Sequence, residues 1–379
     1  MRIAQIAPLW ERVPPPAYGG TEAVVYLLTE GLVARGHEVV LYASGDSLTS
    51  AELRSVYPRS LRTATDLKDP APYDWLHGAS ALADAREFDI IHNHAGELVM
   101  AMSHLVDTPL LTTLHCLVTP DTRIIWENYR GFYNTLSAAS LRTLPASIPR
   151  GNYVGVVYNA IDVKSFPFRP NKDEYLLFLS RVAPEKGADV AIQVAKRLGV
   201  PLVVAGKVDR VDREYFRTVV EPLIDGHLVR YVGEVTREEA KALYAGARAL
   251  LLPLRWEEPF GLVMPEAMAT GTPVIAFRRG AAPEIIRDGE TGFLVDEGDI
   301  DGMAKAVCDL DQIDPLRCRE HVEEHFDVHK MVEGYLALYE RVLILAGRRQ
   351  KYFYVPRPSA GAWRGEQVGK GGDRLQVAN

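Results

Sequence analysis

Two glutamates that stand eight residues apart, Glu258 and Glu266, are the residues of this chain best placed to do chemistry. They lie in LLPLRWEEPFGLVMPEAMATGTPVIA, which runs from 251 to 276. Apolar runs on both sides predict strands, and the segment from Pro265 to a stop at Gly271 predicts a short helix. Glu258 then lies in a loop after a strand, and Glu266 lies in the first helical turn. Two carboxylates there can accept hydrogen bonds from a polyhydroxylated ligand, and the helix N-terminus attracts an anion such as phosphate.

A second pair of candidate residues is cationic, since Arg181 and Lys186 stand five residues apart in SRVAPEKG. Both follow a predicted strand, at the strand end where open parallel sheets bind ligands. Arginine offers a planar fork of donors and lysine a point charge, so the pair could hold a diphosphate. The alternative is a solvated turn in which both side chains extend into water.

The turn Tyr18-Gly19-Gly20-Thr21 lies between the first predicted strand and the first predicted helix. Glycines permit close approach of the backbone to a ligand, and the helix N-terminus favours phosphate. The alternative is a tight turn in which Thr21 is the N-cap.

Three histidines end predicted strands in the first half of the chain: His92 and His94 in IIHNH, and His115 in TTLHC. A histidine at such a strand end can hydrogen-bond a sugar hydroxyl across a cleft. For His92 and His94, hydrogen bonding to loop backbone is an equal alternative. Two histidines two residues apart, without a third ligand nearby, do not have the spacing of a metal site, so we predict none.

The segment from Gly280 to Glu284, GAAPE, predicts another loop followed by a helix. In the first turn, Glu284 would stabilise the N-terminus of its own helix.

Composition excludes several classes of function. The 379 residues carry a net charge of −7 at a pI near 5.9, which argues against a nucleic-acid partner. Residues 1–150 hold 12 Lys and Arg against 16 Asp and Glu, so docking to an anionic membrane is not favoured. The three cysteines form no C-x-x-C pair, which indicates a reducing compartment. No apolar run reaches the ~20 residues of a membrane span, and we expect a cytoplasmic protein.

Short apolar runs alternate with helical patterns along the chain. This alternation predicts an α/β protein with two doubly wound, Rossmann-like domains and a cleft between them. The polar segment SFPFRPNKDE, residues 165–174, predicts the boundary. We assign 1–165 to the N-terminal domain, 170–327 to the C-terminal domain, 328–349 to a helix that packs back on the N-terminal domain, and 350–379 to a mobile tail.

Together these segments resemble the family 4 glycosyltransferases, which are retaining enzymes of the GT-B fold, and the resemblance covers residues 1 to about 347. The E-x7-E arrangement combined with R-x4-K-G carries most of it. The matching segments read GGTEAVVYLLTEGLVARGHEVVLYA, TLHC, VVYNAID, LSRVAPEKGADVAI, EEPFGLVMPEAMATGTPVIA and RRGAAPEIIRDGETGFLV. PPPAYGGTE with TLHC is also similar to a subgroup labelled as glucosyltransferases acting on a pterin.

The resemblance implies a role for each candidate residue. Glu266 would hold the ribose hydroxyls of a nucleotide, and Glu258 would contact the donor sugar. Arg181 and Lys186 would neutralise the diphosphate, and His115 would bind the sugar near its reactive carbon. The backbone of the other implied residues would approach the sugar and phosphates: Gly19, Gly20, Phe260, Gly261, Leu262 and Val263.

The predicted function is therefore a retaining transfer of a hexose, first of all glucose from UDP-glucose, to an undetermined small or soluble acceptor. No cofactor is expected because the nucleotide sugar is a substrate, and without an Asp-x-Asp pair we expect metal-independent activity. Retention could proceed by attack on the face that the diphosphate leaves, or through a carboxylate nucleophile, for which Glu258 is the candidate. The alternatives are a GT-B epimerase or phosphorylase, or an inactive sugar-nucleotide-binding module.

Overall fold

The computed structural model describes residues 1–17 and 19–349. The part of the glycine turn at Tyr18 and the predicted tail at 350–379 lie outside the described residues.

The apolar runs of the first half form a parallel sheet of seven strands within the described residues. The strands are β1 (Arg2–Ile6), β2 (Glu38–Tyr42), β3 (Glu52–Arg54), β4 (Ile90–Asn93), β5 (Leu110–Leu114), β6 (Phe132–Thr135) and β7 (Tyr153–Val156). Their order across the sheet is β3-β2-β1-β4-β5-β6-β7. Hydrophobic patterning does not identify β3 or β6, because half or more of the residues in ELR and FYNT are polar.

Helices cover both faces of this first sheet. They are α1 (Gly20–Ala34), α2 (Ala71–Ala83), α3 (Glu97–Met102), α4 (Arg123–Asn128) and α5 (Ala138–Thr143). On one face Leu28 and Leu32 of α1 pack with Ile3 of β1, and on the other Leu82 of α2 packs with Ile6. Burial of these apolar side chains from both sides stabilises the layered arrangement.

The second half repeats the architecture with six parallel strands among the described residues. The strands are β8 (Leu176–Leu179), β9 (Leu202–Ala205), β10 (Val229–Gly233), β11 (Ala249–Leu252), β12 (Val274–Phe277) and β13 (Gly292–Val295). Their order, β10-β9-β8-β11-β12-β13, is the 3-2-1-4-5-6 order of dinucleotide-binding sheets. The two doubly wound sheets predicted from the alternation of elements are therefore confirmed.

The helices of the second half are α6 (Ala188–Leu198), α7 (Arg213–Tyr215), α8 (Arg237–Gly246), α9 (Val263–Ala269), α10 (Ala282–Ile285), α11 (Ile300–Cys308), α12 (Pro315–His325) and α13 (Val328–Arg349). The helix predicted over 212–224 is irregular, since α7 continues as a π-helical turn over Phe216–Val220. The helix predicted to begin at Pro265 begins two residues earlier at Val263, which still leaves Glu266 in its first turn. Proline is tolerated there because the first helical N–H groups have no intrahelical partner.

The chain crosses between the two sheets at two adjacent places. Ile161 donates its N–H to the carbonyl of Phe326 at 3.0 Å and accepts from the N–H of Val328 at 3.1 Å. After this second crossing α13 lies against the first sheet, where Tyr335 and Tyr339 are fully buried with residues of α1 and β1.

Candidate active site

Loops that follow strands in both sheets enclose a cavity of about 280 Å³. This is the position at which open α/β sheets bind ligands. Six of these loops contribute Gly19 after β1, His115 after β5, Ser180 after β8, Gly206 after β9, Glu234 after β10 and Leu254 after β11. The predicted site residues all line the cavity: Gly19, Gly20, His115, Arg181, Lys186, Glu258, Phe260, Gly261, Leu262, Val263 and Glu266.

Glu258 and Lys186 form an ion pair on the cavity wall. The Nζ of Lys186 lies 2.6 Å from Oε2 of Glu258, and both side chains are 14% exposed. Trp256 donates its Nε1–H to the same carboxylate oxygen at 3.1 Å, and the ammonium lies 4.2 Å from the centroid of a Trp256 ring. An ammonium has three donors, so Lys186 can hold Glu258 and still donate to an anion.

Arg181 is also paired with carboxylates. Its Nη1 donates to Oδ2 of Asp212 at 2.7 Å, and its Nη2 contacts Glu185. These partners hold the guanidinium at the end of β8, where it lines the cavity. The side chains of Arg181 and Lys186 are thus held by carboxylates and do not extend into water as the alternative predicted.

Glu266 also lines the cavity, with one carboxylate oxygen engaged. Oε2 accepts the hydroxyl of the buried Tyr244 at 3.0 Å. Among the described residues Oε1 has no hydrogen-bond partner, so it is available to a ligand hydroxyl. Desolvation raises the pKa of Glu266, and the nearby cations Arg237 and Lys241 act in the opposite direction.

Two glycines of the first loop lie in tightly packed surroundings, and Gly20 is close to the second half. Gly19 has a φ of 139°, and a Cβ there would lie 2.7 Å from Cβ of Pro15. Gly20 is the first residue of α1, and a Cβ on it would lie 3.4 Å from Cδ1 of Leu262. Thr21 lies inside the first turn of α1, whose N-cap is Gly19, so the N-cap that the alternative assigned to Thr21 is wrong.

His92 and His94 are buried and His115 is half-buried beside them, and of the three only His115 lines the cavity. Nδ1 of His94 lies 2.8 Å from Nε2 of His115. His92 and His94 are satisfied by side chains rather than by loop backbone, with ring nitrogens bonded to Tyr339, Thr113 and Gln5. Burial lowers the pKa of His115 to about 4, so it is neutral at pH 7.

Glu284 lies in the first turn of α10 but makes no capping hydrogen bond there, and its carboxylate bonds the other half of the molecule instead. Its carboxylate accepts the backbone N–H groups of Ala138 and Ala139 at 2.8 and 2.7 Å, at the N-terminus of α5. Ser137 of the first half also donates its hydroxyl to the carbonyl of Pro259 at 2.7 Å. These contacts position the loop that carries Glu258 against the first sheet, which local sequence does not reveal.

Several residues of the cavity wall are not among those predicted from the sequence. They lie at the ends of β9 and β10 and on α8: Gly206, Lys207, Glu234, Arg237, Lys241 and Tyr244. Gly206 has a φ of 144°, and a Cβ there would lie 1.8 Å from the carbonyl oxygen of Ser180. Its position directly after a predicted strand, in AGK, is the signal that could have found it.

No group of three or more His, Cys, Asp or Glu side chains in the described part of the chain is arranged to hold a metal ion. In that same part, the helices are too short or too polar to cross a membrane.

Glu22, in the first turn of α1 beside the cavity, should make stability depend on pH. Burial raises the pKa of this carboxyl to about 7, and the neighbouring Glu11 also raises it. The folded state therefore favours the protonated form. This stabilisation is complete below the unfolded pKa and is lost as pH rises towards 7, with a limiting slope of about 1.4 kcal/mol per pH unit. Glu22→Gln should flatten the fall in melting temperature between pH 5 and 8, whereas the exposed Glu38→Gln should not. Equal slopes in the parent and the Glu22→Gln variant would contradict this.

Two family models match adjacent parts of the chain. The model described as Glycosyltransferase Family 4 matches residues 18–164, and the model described as Glycosyl transferases group 1 matches residues 162–320. The junction between them falls where the chain passes from the first sheet to the second.

Relatives that are named for an enzyme activity match over most of their length. The phosphatidyl-myo-inositol mannosyltransferase of Mycolicibacterium smegmatis is 28% identical over 345 residues, covering 84% of this chain and 86% of the relative. The N-acetyl-alpha-D-glucosaminyl L-malate synthase of Bacillus anthracis is 27% identical over 374 residues, covering 86% of this chain and 95% of the relative.

A solved structure is similar across both halves. AviGT4, a glycosyltransferase involved in avilamycin A biosynthesis, superposes with a TM-score of 0.70 at 26% identity, covering 91% of this chain and 98% of AviGT4. The arrangement of the two sheets around the cleft is therefore shared with a solved glycosyltransferase.

Proposed function

Because the chain belongs to the family 4 glycosyltransferases and has their GT-B fold, we propose that it transfers a hexose from a nucleotide sugar to an acceptor with retention of configuration. The observation that carries the proposal is the meeting of Glu258, Glu266, Arg181 and Lys186 on one cavity between the two halves. Carboxylates suit sugar and ribose hydroxyls, and the cations suit a diphosphate.

In this proposal Glu266 binds the ribose through its available Oε1. Lys186, Arg181 and the N-terminus of α1 face the diphosphate. Negative charge develops on the leaving phosphate as the bond to the sugar breaks, and positioned cations and helix N–H groups stabilise that charge.

The opposite charge develops on the sugar, which in this proposal is bound beside Glu258 and His115. A carboxylate offsets the positive charge of an oxocarbenium-like state. Pairing with the Lys186 ammonium and the Trp256 N–H lowers the nucleophilicity of the Glu258 carboxylate, so we propose an electrostatic role rather than attack on the sugar. In the mechanism we propose, the acceptor attacks on the face that the diphosphate leaves. A leaving phosphate oxygen then takes the acceptor proton.

Glucose from UDP-glucose is the first donor to test, because the segments PPPAYGGTE and TLHC are similar to those of a glucosyltransferase subgroup. Relatives are named for mannosyl and N-acetylglucosaminyl transfer, so those donors belong in the same screen. We propose a small or soluble acceptor and metal-independent turnover.

The experiment is a thermal-shift screen of UDP-, GDP- and ADP-sugars, followed by assay of nucleoside diphosphate release with and without EDTA. A ligand that binds the native state raises the melting temperature by mass action. We expect one nucleotide class to raise it and to be hydrolysed slowly without an acceptor, with turnover unaffected by EDTA. If no sugar nucleotide binds and none releases diphosphate, even with an acceptor panel, the function is wrong. Loss of turnover in EDTA, restored by Mg²⁺ or Mn²⁺, would overturn the metal-independent mechanism alone.

Glu266→Ala should raise KM for the donor with little change in kcat. Hydrogen bonds to ribose are present in both the ground state and the transition state, so their loss weakens binding uniformly. A hydrogen bond to a charged group contributes about 1.5–3 kcal/mol, which corresponds to a rise of about 10- to 100-fold. Steady-state kinetics check this, with the exposed Glu290→Ala as the control. A fall in kcat at unchanged KM would place Glu266 in the chemical step instead.

A further inference from the structure

A continuous chain of hydrogen bonds leads from His115 at the cavity into the buried interior of the first half. Nε2 of His115 bonds Nδ1 of His94 at 2.8 Å, and Nε2 of His94 bonds Oε1 of Gln5 at 2.8 Å. The amide of Gln5 then donates from Nε2 to the hydroxyl of Tyr339 at 2.8 Å. Residues from both ends of the sequence thus meet directly behind the cavity.

The chain of hydrogen bonds continues from the Tyr339 hydroxyl to the centre of the first sheet. The Tyr339 hydroxyl lies 2.7 Å from Nδ1 of His92, and Nε2 of His92 lies 2.7 Å from the hydroxyl of Thr113. Thr113 donates to Oδ1 of Asn134 at 2.8 Å. We call this chain the histidine relay; in order from the cavity its members are His115, His94, Gln5, Tyr339, His92, Thr113 and Asn134.

The far end of the histidine relay sets the direction of its hydrogen bonds. Asn134 points its Nδ2 towards the carbonyl of Thr135, 3.4 Å away, so its Oδ1 faces Thr113 as an acceptor. The Thr113 hydroxyl must then donate to Asn134 and accept from Nε2–H of His92. Since Nδ1 of His92 is therefore an acceptor, the Tyr339 hydroxyl donates to it.

The donor and acceptor roles of the remaining relay members, up to His115 at the cavity, follow in the same way. Tyr339 accepts from the Gln5 amide, which leaves Oε1 of Gln5 to accept Nε2–H of His94. Nδ1 of His94 is then an acceptor, so His115 must donate from Nε2. All three histidines are neutral at pH 7, because burial lowers the pKa of His115 to about 4 and those of His92 and His94 well below their ordinary value.

We propose that Gln5, His94 and Tyr339 are positioning residues that hold His115 as the Nε2–H tautomer, so that its Nδ1 presents a lone pair to a ligand. Among the described residues this Nδ1 has no hydrogen-bond partner, and His115 lines the cavity. The ligand group is therefore a donor, a hydroxyl rather than a carbonyl or phosphate oxygen. That the hydroxyl belongs to the donor sugar rests on the proposed function; the tautomer does not.

Long-range ¹H–¹⁵N correlation spectra of histidine-labelled protein test the tautomer directly, with His115 assigned by its loss in His115→Gln. In the parent we expect a protonated Nε2 and an unprotonated Nδ1. Gln5→Met removes the acceptor for Nε2–H of His94. Tyr339→Phe removes the acceptor for the Gln5 amide group, which can then rotate and exchange the positions of its oxygen and nitrogen. Each should convert part of His115 to the Nδ1–H tautomer and lower kcat/KM about tenfold, the factor of one hydrogen bond.

Tyr335→Phe is the matched control. Tyr335 is equally buried and one helical turn away on α13, but its hydroxyl bonds Thr113 at 3.2 Å as a side branch. It should leave the His115 tautomer unchanged.

A parent spectrum with Nδ1–H at His115 would overturn the proposal, as would unchanged spectra in folded Gln5→Met or Tyr339→Phe protein. Should the protein turn over no sugar nucleotide, the spectra of the free protein still decide the tautomer. Failure of the proposed function is therefore distinguishable from failure of the relay.

Discussion

Replacement of Glu258 by glutamine is expected to lower kcat by about 10²–10³-fold with a much smaller change in KM for the donor, the scale seen when one stabilising group is lost from a transition state. Glutamine keeps the size and the hydrogen bonds to Lys186 and Trp256 but removes the charge. The positive charge on the sugar develops only as the bond to phosphate breaks, so the loss falls on the chemical step.

The adjacent Glu257 supplies the control. It bonds Nε of Arg279 at 2.9 Å and the N–H of Gly280 at 3.0 Å, and it does not line the cavity. Steady-state kinetics of Glu257→Gln should resemble the parent. An unchanged kcat in Glu258→Gln would remove this carboxylate from the chemistry.

Lys186→Met is expected to lower kcat/KM by about 10²–10³-fold, because a positioned cation at the leaving diphosphate acts mainly in the transition state. The methionine keeps an unbranched apolar stem against Trp256 while it removes the ammonium. Lys196→Met, an exposed change on α6, is the matched control and should leave kinetics unchanged. If Lys186→Met turns over like the parent while binding donor normally, the diphosphate role passes to Arg181 or to the helix N-terminus.

The double variant Glu258→Gln with Lys186→Met separates two interpretations of the ion pair. If Glu258 acts only by holding Lys186, the double variant should be no slower than Lys186→Met alone. If each residue faces its own developing charge, the double variant should be slower than either single variant. Residues in contact are not expected to be strictly additive, so the direction of the difference decides.

Local sequence was sufficient to predict the two doubly wound sheets and the family, and both predictions are confirmed. The reason is that hydrophobic periodicity and helix boundary signals are properties of consecutive residues. It was also sufficient to place Glu258 in a loop and Glu266 in a first helical turn, since strand, loop and helix follow within 26 residues. Because parallel strands all end at one edge, the convergence of residues that follow such strands could be anticipated without coordinates.

The partners of these residues could not be anticipated. Lys186 and Glu258 are 72 residues apart, and Glu284 finds its N–H partners in the other half of the molecule. A glutamate in the first turn of a helix is already favoured by the N–H groups of that helix. The local sequence therefore does not indicate that the Glu284 carboxylate bonds the N-terminus of α5 instead.

The residues of the chain by themselves therefore determined most of the strands and helices, though not β3 or β6, and which loops carry the carboxylates, cations and glycines of the candidate site. Only the tertiary structure decided what those side chains contact. His115 is the clearest case, because its hydrogen-bonding state depends on Gln5 in the first strand and on Tyr339 in the last helix, 334 residues apart. Hydrophobic periodicity in the sequence indicates which face of a helix or strand is buried. A hydrogen bond depends on the positions of two particular atoms, and only the packing of distant elements brings those atoms within about 3 Å.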